Sequence, residues 1–131
     1  MTSNPVYVVD SHILGAYMLD ELPERSDRIF KEVEHEKATL IIPSIVIAEL
    51  TYVREKAELV SKIWEMFEKL DMYPSFTIHP LDESLLRIIP DIKLEELHDR
   101  IIVATCIYTK AKALITRDQE IRSSKLIQTF Y

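Results

Sequence analysis

Glycine is almost missing from this chain: Gly15 is the single one in 131 residues. Phosphate-cradling loops of the P-loop or dinucleotide type need several glycines in close order, so both are excluded. Cysteine is as scarce. Cys106 alone cannot close an internal disulfide, and with four scattered histidines it cannot complete a Cys-rich zinc site. A reducing, cytosolic (cytoplasmic) setting is the expectation that follows. There is no run of about 18 apolar residues, so no membrane span is expected. The opening "MTSNP" lacks the basic and apolar parts of a secretory signal. No linker rich in Gly, Ser or Pro and no internal repeat divides the sequence, so a single domain over residues 1–131 is expected.

What is present suits a globular protein, with 47% hydrophobic and 29% charged residues. The net charge of −6 argues against a protein that coats nucleic acid. The charge is uneven, however. Residues 110–131 carry Lys110, Lys112, Arg117, Arg122 and Lys125 against Asp118 and Glu120, a local charge of +3 that leaves −9 on the rest. A basic end can handle a phosphate backbone locally, although a solvated surface accounts for the same charges.

Short β-branched runs alternate with longer helical patterns. The expected strands are "VYVV" (6–9), "ATLII" (38–42), "FTIH" (76–79), "ALIT" (113–116) and "LIQTF" (126–130). Helices are expected over 12–19, 24–36, 43–55, 57–71, 82–89 and 98–111. Strands that are apolar throughout suit a sheet covered on both faces. Their alternation with helices implies an α/β fold with parallel strands and right-handed crossovers.

Sites in such a sheet form beyond the carboxyl ends of its strands. Asp10 follows the first strand and Asp118 follows the fourth. Asp99 opens the helix 98–111, which runs antiparallel to the strands and so starts at the same edge. Glu49 lies on the helix 43–55 among Ile45, Val46, Tyr52 and Val53. A carboxylate in such company binds a metal, meets a basic group or stays protonated. A simpler reading competes. Asp10, Asp99 and Asp118 are each a favoured helix cap, and Thr116 with Gln119 fits a capping box. Caps alone do not explain why all four acids fall where one edge can gather them. Clustered carboxylates repel unless a cation is present. Oxygen ligands without His or Cys suit one or two Mg²⁺ or Mn²⁺ ions, which activate water against a phosphodiester.

The segments "VVDSHIL", "IPSIVIAEL", "HDRIIVATC" and "LITRDQEI" resemble, in order, the acidic motifs of PIN-domain ribonucleases. The resemblance spans nearly the whole chain and is most like the stand-alone VapC-type toxins of toxin–antitoxin pairs. It implies a five-stranded parallel sheet of order 3-2-1-4-5 with helices on both faces, and a metal-dependent ribonuclease. It matches Asp10, Glu49, Asp99 and Asp118 to the family's acids. Asp10 and Asp99 would be direct ligands, Glu49 a ligand or water-orienting group, and Asp118 the support of a second ion or its water. Ser11 and Thr116 match hydroxyl positions that hydrogen-bond the carboxylates. It also implies a cognate antitoxin and a homodimer. One position departs from the pattern: the family often has Asn two residues after the first Asp, and His12 stands there. A phosphate contact, a place beside the metal and a tolerated polar substitution are all open for it.

Arg100, Arg117, Arg122 and Lys125 are candidate RNA-phosphate contacts, or else ordinary surface charges. His98 reads as helix-start surface. Trp64 shares an apolar stripe with Ile63, Met66, Phe67 and Leu70, which suggests core or dimer contact. Two other readings compete with the toxin: a non-catalytic RNA- or protein-binding module, and a housekeeping RNA-processing nuclease. A phosphotransfer enzyme is disfavoured. His12 stands where a second Asp would be needed, and "FTIH" offers no phosphoacceptor.

Overall fold

Val6–Val9 (β1) has neighbours on both sides, and this central place explains its composition. In the computed structural model, which describes residues 3–131, Tyr7, Val8 and Val9 are all buried. Successive strand residues point to opposite faces, so both faces of the sheet are covered. After β1 come α1 (Ser11–Met18), α2 (Glu24–Glu34), β2 (Thr39–Pro43), α3 (Ser44–Lys56) and α4 (Val60–Asp71). Then follow β3 (Phe76–His79), α5 (Glu83–Ile88), a 3-10 turn, α6 (Leu97–Thr109), β4 (Ala113–Ile115), α7 (Gln119–Ser124) and β5 (Thr129–Phe130).

The strands lie in the order β3-β2-β1-β4-β5, and every pairing is parallel. Val8 is opposite Ile41 on one side and Leu114 on the other. The chain steps outward from β1 to β2 and β3. It then crosses through α5 and α6 to β4 on the far side of β1. The direction of winding therefore reverses between β1 and β4, and a crevice opens there at their carboxyl ends.

Most expected elements form within a residue or two of their expected limits, and the exceptions have local causes. The second half of the α3–α4 pair starts at Val60 rather than 57, because Ala57 caps α3 and Glu58 turns left-handed with φ 58°. The last strand is only Thr129–Phe130. Its ladder to β4 opens with Leu114 N–H donating to the Gln128 carbonyl, and Lys125, with φ 57°, is still ending α7. Trp64 is not in the core: Ile63, Met66 and Leu70 are buried, while Trp64 is 63% exposed. Helix α4 buries one narrow stripe and leaves Trp64 outside it. No helix among the described residues is long and apolar enough to cross a membrane. Cys106 is buried and free, and burial pushes its thiol well above the usual range.

Gly15 sits mid-helix in α1. A methyl group there would meet Leu50 Cδ2 at 3.6 Å, an ordinary contact. Nothing in the packing requires glycine at this position. Gly15→Ala is therefore expected to stabilise the fold by about 0.5–1 kcal/mol, by restricting the unfolded chain and favouring helix. Thermal melting should show a rise of about 2–4 °C.

Candidate active site

Asp10 continues the β1 ladder, its N–H donating to the Ile115 carbonyl at 3.1 Å. Its side chain is buried and engaged at both oxygens. Oδ1 accepts from the Ser11 N–H at 2.7 Å, which makes Asp10 the cap of α1. Oδ2 accepts from the Thr116 hydroxyl at 2.8 Å. The same hydroxyl oxygen accepts from the Asp118 N–H at 3.0 Å. Thr116 is fully buried, so one side chain ties the end of β1 to the turn after β4. Asp118 in turn caps α7, its Oδ1 accepting from the Ile121 N–H at 3.0 Å. Thr116 is thus not the cap of a capping box; its proton goes to Asp10.

Asp99 behaves differently. Helix α6 begins at Leu97, so Asp99 lies inside the first turn and Glu96 occupies the cap position. Asp99 is 5% exposed and has no capping role to explain it. Burial raises its carboxyl above the usual range, and the charges of Asp118 and Asp10 raise it further, while His98 beside it acts in the opposite direction. Those two charges bear on Asp99 because all three aspartates lie along the same carboxyl edge of the sheet.

Glu49 arrives from α3, whose residues pack against α1. Its side chain is 39% exposed, with Tyr52 and Val53 exposed beside it, so it borders the crevice rather than the core. Of the three fates open to it, the basic partner is found: His98 Nε2 lies 3.1 Å from Glu49 Oε2. His98 Nδ1 is 3.4 Å from Asp99 Oδ1. The expectation that His98 is plain helix-start surface is therefore wrong. Its imidazole stands between two of the four acids, partly shielded from solvent.

The family model of the PIN domain matches residues 7–125. The chain belongs to the PIN-domain family. Several solved structures share its PIN fold. The VapBC2 complex of Rickettsia felis, bound to a DNA fragment from its promoter, matches at TM-score 0.76 and 15% identity, over 95% of this chain and 97% of that one. FitAcB of Neisseria gonorrhoeae matches at 0.70 and 21%, over 95% and 96%. A toxin–antitoxin complex of Klebsiella pneumoniae matches at 0.65 and 18%, over 95% and 98%. At these identities the likeness is one of fold. Comparison with curated protein sequences gives no significant match.

This PIN domain does not present its acids as a ready-made cage. Among the described residues, no three His, Cys, Asp or Glu side chains are gathered closely enough to hold an ion as they stand. Each acid is turned toward a protein partner instead. The donor chemistry nevertheless fits a hard divalent cation: three aspartates share one edge, two of them are buried, and burial together with like charge penalises the ionised form of Asp99.

The basic candidates divide. Arg117 Nη2 lies 3.3 Å from His12 Nδ1, and both side chains are exposed at the crevice mouth. Arg122 Nη1 donates to the Thr116 carbonyl at 3.2 Å and so braces the turn that carries Asp118. Arg100 Nε donates to the Leu94 carbonyl and fastens the loop before α6. Lys125 is exposed at the left-handed end of α7. Arg117 and His12 are thus brought together; Arg100 and Arg122 serve backbone carbonyls. A groove of about 930 Å³ leads away from the acids between α1, α3 and α4, lined among others by His12, Glu49, Tyr52, Leu59 and Arg117.

Two outcomes follow from this arrangement. Thr116→Val removes a buried donor to a charged acceptor and also the acceptor for the Asp118 N–H. It should cost about 2–3 kcal/mol in urea unfolding, with Thr116→Ser retaining most of the stability. An acid whose folded pKa is raised binds more protons folded than unfolded, so stability falls as pH climbs from the ordinary carboxylate range through the raised value. Asp99→Asn removes that loss. In EDTA the variant should melt above wild type at neutral pH, and the gain should vanish near about pH 3, where both states are protonated.

Proposed function

We propose that the protein is a divalent-metal-dependent ribonuclease that hydrolyses RNA phosphodiester bonds, acting as the toxin of a toxin–antitoxin pair. The observation that supports this reading is that Asp10, Asp99 and Asp118 share the carboxyl edge of the sheet, with the Asp99 carboxyl raised first by burial and then by the charges of the other two. Asp10 and Asp99 would hold Mg²⁺ or Mn²⁺, Asp118 would support a second ion or its water, and Glu49 would orient the attacking water. A divalent ion bound there supplies Lewis-acid polarisation of the phosphoryl oxygen and acidifies water. Thr116 and Ser11 hold the Asp10 carboxylate in one orientation. Arg117 and His12, at the mouth, are placed to meet RNA phosphates and give affinity without choice of sequence. Lys125 would add to the field that steers RNA, whereas Arg100 and Arg122 contribute mainly by bracing backbone.

The toxin assignment draws support from the groove. It is apolar along α3 and α4, and it opens onto Glu49 and Arg117. Exposed Tyr52, Val53 and Leu59 leave this region apolar toward solvent, which suits an antitoxin segment. A homodimer belongs to the same reading, with exposed Ile107 and Tyr108 on α6 offering a separate apolar surface.

The test is cleavage of RNA by wild type and Asp99→Asn, purified side by side, with Mn²⁺ and with EDTA. Wild type with metal should cleave. The variant should lose at least about a hundredfold in rate, as removal of a group that stabilises the transition state does. Equal cleavage by both proteins, or none by wild type with either ion, contradicts the proposal. The second outcome favours a binding module in which Asp10 and Asp118 are only caps.

A further inference from the structure

Tyr131 is an exposed aromatic residue that the ribonuclease reading leaves without a task. Of the exposed aromatic rings among the described residues, it alone directly follows a strand of the sheet. Every strand pairing is parallel, so Tyr131 stands at the same carboxyl edge as the acids. Phe130 is opposite Ile115, and the Thr116 N–H donates to the Phe130 carbonyl at 2.9 Å. Tyr131 is therefore level with Thr116, the residue that holds Asp10. Adjacent strands lie about 4.8 Å apart, so about 10 Å separates Tyr131 from the strand that ends on Asp10. The preceding ring is differently placed: Phe130 is buried, packs on Tyr7 and is covered by Arg25 of α2. Tyr131 keeps 43% of its surface exposed, with the Arg122 guanidinium 5.9 Å from its ring centroid. Arg122 is itself anchored to the Thr116 carbonyl. An open ring and a fixed cation thus sit beside the acid edge, in the segment whose charge is +3.

We propose that Tyr131, backed by Arg122, is a stacking platform for an unpaired RNA base beside the cleaved phosphate, and that it makes the protein select single-stranded over duplex RNA; this rests on the ribonuclease reading above. The chemistry is general. Every base has a π face, so an exposed aromatic ring holds a splayed-out base without reading its sequence. A guanidinium next to the ring adds a cation–π contribution and draws in the phosphate that the base carries. Phosphate contacts alone, such as those of Arg117, are open to any nucleic-acid backbone. A stacking ring is more selective, because the bases of a duplex are already paired and stacked on one another. The ring acts on binding and not on the chemical step, so its loss raises KM and leaves kcat.

The test measures binding by fluorescence anisotropy in the Asp99→Asn background, which keeps the RNA intact. The probes are a short single-stranded oligoribonucleotide of mixed sequence, the same backbone with abasic residues, and the perfect duplex. Tyr131 itself, Tyr131→Phe and Tyr131→Ala are compared. The parent should bind the base-bearing strand about tenfold more tightly than the abasic strand of equal charge. Tyr131→Phe should keep that difference and Tyr131→Ala should erase it, with abasic and duplex affinities changed by less than about twofold. Thermal melts within about 2 °C of the parent establish that the variants are folded. Equal binding of the base-bearing and abasic strands by the parent overturns the inference. So does a difference that survives in Tyr131→Ala, or one that Tyr131→Phe loses as fully. Cleavage of the same strand by wild type in Mn²⁺ is scored separately. Cleavage without any effect of Tyr131→Ala on KM overturns the platform while the ribonuclease reading stands. Base-dependent binding through Tyr131 with no cleavage supports the platform and overturns the ribonuclease reading instead.

Discussion

The contact between Thr116 and Asp10 is the constraint on which the crevice depends. It joins residues 106 positions apart in the chain. It closes the point where the sheet changes its direction of winding, and it fixes a buried carboxylate that nothing else would hold at both oxygens. The Asp118 N–H ends on the same hydroxyl oxygen, so the two acids at the ends of β1 and β4 are positioned through one side chain. Helix capping and site formation are therefore not rival accounts of these aspartates. Asp10 and Asp118 each cap a helix, and the caps are what orient them. An apolar strand ends on a carboxylate here because the first helix and the crevice both need it.

Electrostatics decides what such an edge can be used for. Two unit charges about 5 Å apart repel by about 3 kcal/mol at an effective dielectric constant of 20, a large share of the stability of a small domain. Hydrogen bonds relieve the charge on Asp10. Asp99 has no comparable partner apart from His98, and its carboxyl is raised. A stable fold would sooner place an apolar residue there. The retained charge marks the position as one where stability is exchanged for a site. His98, between Glu49 and Asp99, is the neighbour that acts to lower the Asp99 carboxyl.

Most of this architecture is legible in the sequence, and the reasons are particular. Five β-branched runs with no Gly-rich breaks mark the strands, and the four-segment resemblance to PIN domains carries the strand order. Asp10 and Asp118 can be placed because strand ends are easy to see. Asp99 can be placed because a helix packed on a parallel sheet starts at the carboxyl edge. Glu49 is only half legible. Its depth depends on how α3 leans, and the exposed Tyr52 and Val53 show that it borders the groove. His98 is missed because its partner comes from α3, and no local pattern encodes a contact across 49 positions; the available signal is a histidine directly before an acid expected at the edge. Of the two places expected for Trp64, the core fails, because periodicity names an apolar stripe without saying how much of its width is covered. Thr116 is legible through the resemblance, which expects its hydroxyl to hydrogen-bond a carboxylate, as it does toward Asp10; the competing capping-box pattern cannot show where that proton goes.

The central claim is that the buried acids at the β1–β4 crevice form one cation site. Diffraction data collected at the manganese absorption edge, from crystals grown with Mn²⁺, address it directly. The account predicts an anomalous peak within about 2.5 Å of carboxylate oxygens of both Asp10 and Asp99. Density that leaves the crevice without such a peak, while Mn²⁺ is bound elsewhere on the protein or not at all, would contradict it and leave these aspartates as helix caps and buried charge alone.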